Sequence, residues 1–345
     1  MNAYTPSNRD IEIAIRKGQF IPHTALTNMA LAYYQNAANY FAKAIFPVCH
    51  VSRSADNYYV FDKEDLLRDN WAKKPAYGKV TPVVLSEHTE TYACEVEQMI
   101  MGIDQIRETD NKRRLGPSAA RDPRAQRTKA MAEQANIHQD RKFANGFFKS
   151  GVWNNEWTGV DSTTPSDKQF IKFSNDNSDP IKFIADRKKD MHQQTGRTPN
   201  KLAIGANVFN ALCNHPGILE RVKYGGSTAN PASVTENVLA QLFGVDEIVT
   251  LMSIHNKANM GAEADMDFIG DPNALLLAYA TSSPSIEEPS AGYIFTWDML
   301  GDGNIMPIFH HEGEWGTHSE YIEGLMSFTM KKTADDLAMF CKEVV

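Results

Sequence analysis

The sequence predicts an α+β protein with an elongated body, and three observations carry that expectation. A long helical stretch crosses residues 122–149, short strand-like segments lie on both sides of it, and 345 residues exceed what one core organises efficiently. Asp122 can accept hydrogen bonds from the free N–H groups of the first helical turn. Pro123 suits the first helical position, where no N–H is needed. About 26 residues at ~1.5 Å each give a rod of about 39 Å. Its apolar positions Ala130, Ile137, Ala144 and Phe148 form a narrow stripe, which suits a helix resting on a thin layer rather than sunk in a thick core.

Charge is unevenly spread along the chain. The formal net charge is -8, yet residues 107–149 hold eleven basic and five acidic side chains, leaving +6 there and -14 elsewhere. The total argues against a protein that grips nucleic acid over its whole surface. The basic stretch fits either a solvated helix face or a face near phosphates, and it lacks the interleaved aromatics that base stacking needs. Cys49, Cys94, Cys213 and Cys341 stand far apart with no metal-ligand spacing, so they read as reduced, packed thiols. The N-terminus has no apolar signal core, and the longest apolar run, residues 274–280, is too short to span a bilayer. A protein made in a reducing cytoplasm, away from membranes, is expected.

In chain order, residues 1–47 read as an arm with a helical middle. Leu26, Met29, Ala30, Tyr33, Ala37, Phe41 and Ile45 recur at helical spacing until Pro47 ends the run. Strands are expected at 58–61 and 89–96. The connection between them, through Trp71, Pro75, Tyr77, Gly78 and Pro82, is far too long for a hairpin turn and reads as an excursion with work to do outside its own domain. After the long helix come Trp153, Trp157 and a polar stretch at 161–179. A self-contained α/β region follows. Asp179-Pro180 starts a helix that Gly196 closes, strands are expected at 201–204, 247–250 and 274–279, and Ser233 with Glu236 forms a capping box before Val238. Residues 254–271 read as a loop. Tyr293, Phe295 and Trp297 alternate as in a half-buried strand, and 321–332 is the longest strand candidate.

The search for chemistry returns little. His310, His311, Glu312, Glu314 and His318 offer metal-ligand types, but they lack the HExxH spacing, and Gly313 and Gly316 make the segment look like a turn between strands. Asp265, Asp267 and Asp271 start like a calcium loop, yet Ile269 and Leu276 fall where oxygen ligands are required. Adjacent Cys49 and His50 on a strand point to opposite faces. No phosphate loop, dinucleotide fingerprint or nucleophile elbow occurs. No catalytic, cofactor or metal site is expected.

The segment 195–226, TGRTPNKLAIGANVFNALCNHPGILERVKYGG, resembles the major capsid proteins of tailed double-stranded DNA bacteriophages, which have the Hong Kong 97-type fold. Supporting matches are IFPVCHV at 45–51, QLFGVDEIV at 241–249 and PSAGYIFTW at 289–297. The resemblance implies an N-terminal arm at 1–50, an extended loop at 51–99, and a peripheral domain at 100–179 and 289–345 with a spine helix at 122–149. The axial domain would be 180–288. It implies pentamers and hexamers closing into an icosahedral shell around packaged DNA, in the virion and assembled in the bacterial cytoplasm. Implied partners are a scaffolding protein, a portal and, in part of the family, a decoration protein. The absence of a long N-terminal scaffolding segment favours a separate scaffold. Tyr58, Trp71 and Tyr77 are the expected interface residues. Arg113, Arg114, Arg121, Arg124, Arg127 and Lys129 are the expected DNA-facing ones. Lys63, Lys73, Lys74 and Lys79 lie in the loop where some members crosslink a lysine to an asparagine, but no acceptor is evident. Two alternatives are a cellular nanocompartment shell of the same fold and a metal-dependent hydrolase at His310, His311 and Glu312.

Overall fold

The computed structural model describes residues 35–61, 67–74, 76–83, 87–115, 123–225, 234–259, 261–284, 288–299 and 306–345. Most of the arm, Lys63, Arg121, the Asp122 cap and Ser233 lie outside them.

One long strand organises a five-stranded sheet. β14 (Ser319–Lys332) pairs along one edge with β4 (Glu95–Asp104), and its opposite edge is shared by β13 (Ile308–Glu312) and β12 (Gly292–Trp297). β1 (Val48–Val51) adds to β12 in parallel. β2 (Ala55–Phe61) and β3 (Glu87–Ala93) pair as a separate ribbon, in register from Ala55↔Ala93 to Phe61↔Glu87; the strands expected at 58–61 and 89–96 fall within it except that the second runs on into β4. Tyr293 and Phe295 sit in β12, which is buried on both faces over most of its length rather than half-buried. The ribbon supplies the second cover, because Tyr92 stacks on Phe295 with ring centroids 4.8 Å apart.

The second sheet has six strands in the order β6 (Gln169–Ile171), β5 (Glu156–Val160), β15 (Ala338–Lys342), β11 (Leu275–Ala278), β7 (Lys201–Gly205) and β8 (Glu247–Leu251). This corrects the expected division of the chain. Residues 156–171 and 338–342 were expected with the peripheral domain, but their ladders put them in the sheet of the α/β region. The period-2 rule explains the continuous apolar run at 274–280. Leu276, Ala203 and Phe340 face one core, while Leu275, Leu277, Leu202, Ile204 and Met339 face another. Helices cover that second face: α4 (Pro180–Thr195), α5 (Ala206–Asn214) and α7 (Glu236–Phe243), with α6 (Pro216–Gly225) following α5. Asp179 caps α4 by accepting the Lys182 N–H at 3.0 Å, and Gly196 ends it at φ 70°. α7 is capped two residues after the expected Ser233, since Thr235 is its N-cap and accepts the Val238 N–H. Residues 254–271 contain a short hairpin, β9 (Ile254–Asn256) with β10 (Met266–Phe268), rather than only loop.

The long helix α3 (Pro123–Phe147) touches both sheets. Its first half matches the expected thin layer, with Met131 against Ile103 and Ile322. Its second half does not. Phe143 and Ala144, with Phe148 just beyond, are buried among Phe41, Phe46, Phe328 and Phe340, so this end is held in a thick core.

Candidate assembly surfaces

The described arm is fastened to α3 by polar contacts. Gln35 donates its backbone N–H to Glu133 at 2.8 Å, and its side-chain amide brackets Ile254, donating to the carbonyl and accepting from the N–H. Two turns further along α3, Asp140 accepts the N–H groups of Phe41 and Ala42 and the hydroxyl of Ser253. It thereby satisfies the start of α1 (Ala42–Ile45), a helix too short to hold itself. Burial pushes the Asp140 carboxyl up to about 6, against the opposing pull of these donors and Lys43. The sequence offered no signal for this contact, because the partners lie almost a hundred residues apart.

The ribbon separates the three expected interface residues. Tyr58 is only 4% exposed, packs at the ribbon's base near Phe295 and donates its hydroxyl to Glu90 at 2.6 Å. It is a core residue of its own chain, not an interface anchor. Trp71 and Tyr77, at 96% and 109% exposure, stand on the excursion with none of the described residues packed over them. Lys73, Lys74 and Lys79 are exposed beside them.

The basic residues also divide. Arg124 forks onto Glu320, its Nε and Nη2 donating at 2.8 and 2.7 Å, and clamps it while its side chain stays about half exposed at 52%. Arg113 and Arg127 are exposed; Lys129 is exposed and engaged by a neighbour. The side chain of Arg114 lies outside the described set. Glu320, unremarkable in the sequence, is a hub that also accepts Gln105 at the start of α2 (Gln105–Leu115) and contacts His310 at 2.9 Å. Hydrogen bonds from His310, Arg124 and Gln105 hold its carboxyl down at about 2.

The histidine cluster comes apart in the fold. His310 and His311 are neighbours on β13 and turn to opposite faces, His310 to Glu320 and His311 to Glu323 at 2.5 Å, while Glu312 is exposed. No group of three metal-ligand side chains converges among the described residues. Asp267 pairs with Lys257 across the β9–β10 hairpin. A buried Ser178–His215 contact at 3.1 Å invites a nucleophile reading, but His215 Nδ1 accepts the Gly217 N–H. That places the ring proton on Nε2, which donates to Ser178 and cannot take its proton. Among the described residues no helix is long and apolar enough to cross a membrane.

Between α3, β4 and β14 lies a groove of about 540 Å³, floored by Met99, Met131 and Met326 and edged by Gln134, His138 and Arg141.

The architecture has solved counterparts. A phage-related protein of Bordetella bronchiseptica RB50 superposes with a TM-score of 0.65 over 93% of this chain and 97% of that one, at 19% identity. The capsid of cyanophage P-SCSP1u follows at 0.52 and 11% identity, over 86% of this chain and 85% of that one. The chain has the Hong Kong 97-type capsid fold. The encapsulin of Synechococcus elongatus PCC 7942 shares this capsid fold, with a TM-score of 0.51 and 8% identity over 92% of this chain and 95% of that one. In sequence, the chain is 25% identical over 239 residues to the major capsid protein of Burkholderia phage BcepMu, covering 67% of this chain and 68% of that one. No family model matches the sequence.

Proposed function

We propose that this chain is the major capsid protein of a tailed double-stranded DNA phage, assembling as pentamers and hexamers into an icosahedral shell in the bacterial cytoplasm. The observation that carries this reading is the capsid fold, shared with a cyanophage capsid over 86% of the chain. Physical features support it. A thin subunit takes much of its stabilising burial from neighbours, and here the ribbon excursion carries Trp71 and Tyr77 out into solvent, where an adjacent subunit would cover them. The six-stranded unit with its helices would form the axial domain, and the five-stranded sheet with α3 the peripheral domain. Scaffold, portal and decoration proteins would be its partners. Arg113 and Arg127 would face packaged DNA without sequence preference.

A nanocompartment shell is the second reading, since an encapsulin has the same fold. The sequence likeness to a phage major capsid protein favours the first. Electron microscopy and sedimentation of the purified chain, alone and co-expressed with neighbouring phage genes, test both. Closed shells containing DNA support the phage reading, shells holding enzyme cargo support the nanocompartment, and a strictly monomeric 38.6 kDa species in every condition defeats both. Arg113→Glu with Arg114→Glu is expected to lower the DNA content of shells while shells still form.

A further inference from the structure

Trp315 is 102% exposed at the tip of the β13–β14 hairpin. The tip is a built turn. Thr317 donates both its N–H and its hydroxyl to the Glu314 carbonyl, Gly313 N–H donates to the Ser319 carbonyl at 2.8 Å, and Gly316 takes φ 84°. An indole held out on a rigid turn loses little entropy when it finds a pocket, which is the character of a binding anchor. The groove beside α3 is the complementary feature. Its volume falls among pockets that hold drug-sized ligands, roughly 300–1,000 Å³, so an indole fits with space for flanking backbone. Its methionine floor suits an aromatic ring, because thioether sulfur is polarisable and adapts in shape.

Charge selects between the exposed aromatics. Glu312 and Glu314 flank Trp315, whereas Lys73 and Lys74 accompany Trp71. At the groove edge Glu97 is already engaged by Lys142 and His138, and Arg141 is exposed with no carboxylate partner among the described residues. Acidic side chains beside the indole meet that arginine favourably; lysines would be repelled.

We propose that Trp315 of one copy seats in the methionine-lined groove of a second copy, with Glu312 or Glu314 meeting Arg141. Knob and groove are different surfaces, so the contact is heterologous and passes from copy to copy, as a ring or shell requires. The inference rests on the shell reading and adds to it a specific contact between copies.

The test uses the full chain in a Cys213→Ser background, with E314C, which keeps Trp315, and Q134C introduced singly and together. Gln134 is chosen because it is exposed on the groove edge. A short bismaleimide should join the two positions between chains in assembled shells. The thiol of Q134C alone should label readily in dissociated subunits and be protected in shells. W315A should weaken association about tenfold or more per contact, while Trp315→Phe retains most of it. Shells of the E314C/Q134C double variant without a crosslink, or W315A shells formed at wild-type yield, overturn this contact and leave the shell reading intact. Protection of Q134C already in dissociated subunits also overturns it, by showing that the chain's own N-terminal residues cover the groove. A wild-type chain that never assembles defeats both.

Discussion

The Asp140 carboxylate accepts the backbone N–H of Ala42 at 2.9 Å, tying the arm to the middle of the spine helix across 98 positions of sequence. The same carboxylate takes Phe41 and Ser253, so one buried side chain joins the arm, the helix and the segment after β8.

Asp140→Ala leaves two backbone donors and a hydroxyl without their acceptor, and is expected to destabilise the subunit by about 2–4 kcal/mol in urea unfolding. The pH dependence is also set. Because the folded pKa is raised from the ordinary 3.8 to about 6, the folded state binds the extra proton. The stabilisation is full below pH 4 and is lost as pH rises through about 6, about 3 kcal/mol in all. Asp140→Asn should remove this slope, which Tm measured from pH 4 to pH 7 would show.

Glu320 has the opposite sign. Its folded carboxyl is held below the ordinary 4.5, at about 2, so its stabilisation is present above pH 4.5 and is lost as pH falls toward 2. Glu320→Gln should cost about 1–3 kcal/mol at neutral pH, because it weakens charged hydrogen bonds to Arg124 and His310. The variant should also flatten acid unfolding in that window. An acid profile identical to wild type would show that Glu320 is not the titrating group.

The ribbon aromatics should separate cleanly by readout. Tyr58→Phe removes the hydroxyl that bonds Glu90 and should cost about 1 kcal/mol of subunit stability. Trp71→Ala with Tyr77→Ala should leave subunit Tm unchanged and reduce shell yield in sedimentation. A loss of Tm equal to that of Tyr58→Phe would mean these residues pack within their own chain.

Gly159 on β5 lies against the C-terminal backbone, and an added Cβ would fall 1.9 Å from the Glu343 carbonyl oxygen. Gly159→Ala should force β15 and β5 apart where Phe340 pairs with Glu156 and Lys342 with Thr158. A cost of about 1–3 kcal/mol in thermal unfolding is expected. Gly146→Ala, with nothing within 4 Å, is the control and should not destabilise.

What the sequence determined by itself is what local spacing encodes. Asp179 and Gly196 bound α4, the apolar run at 274–279 holds a strand, the long helix begins at Pro123, and the strands expected at 58–61 and 89–96 fall largely on β2 and β3 with a long excursion between them. Each follows from capping, periodicity or turn chemistry within a few residues. Tertiary structure alone decided where distant segments meet. It sent β15 into the six-stranded sheet, paired the exposed Arg124 with Glu320, buried Tyr58 and pulled His310 and His311 to opposite faces. The physical reason is that a side chain's type fixes which bonds it can make, while the partner that satisfies it is set by sheet register and packing between residues that sequence spacing does not relate.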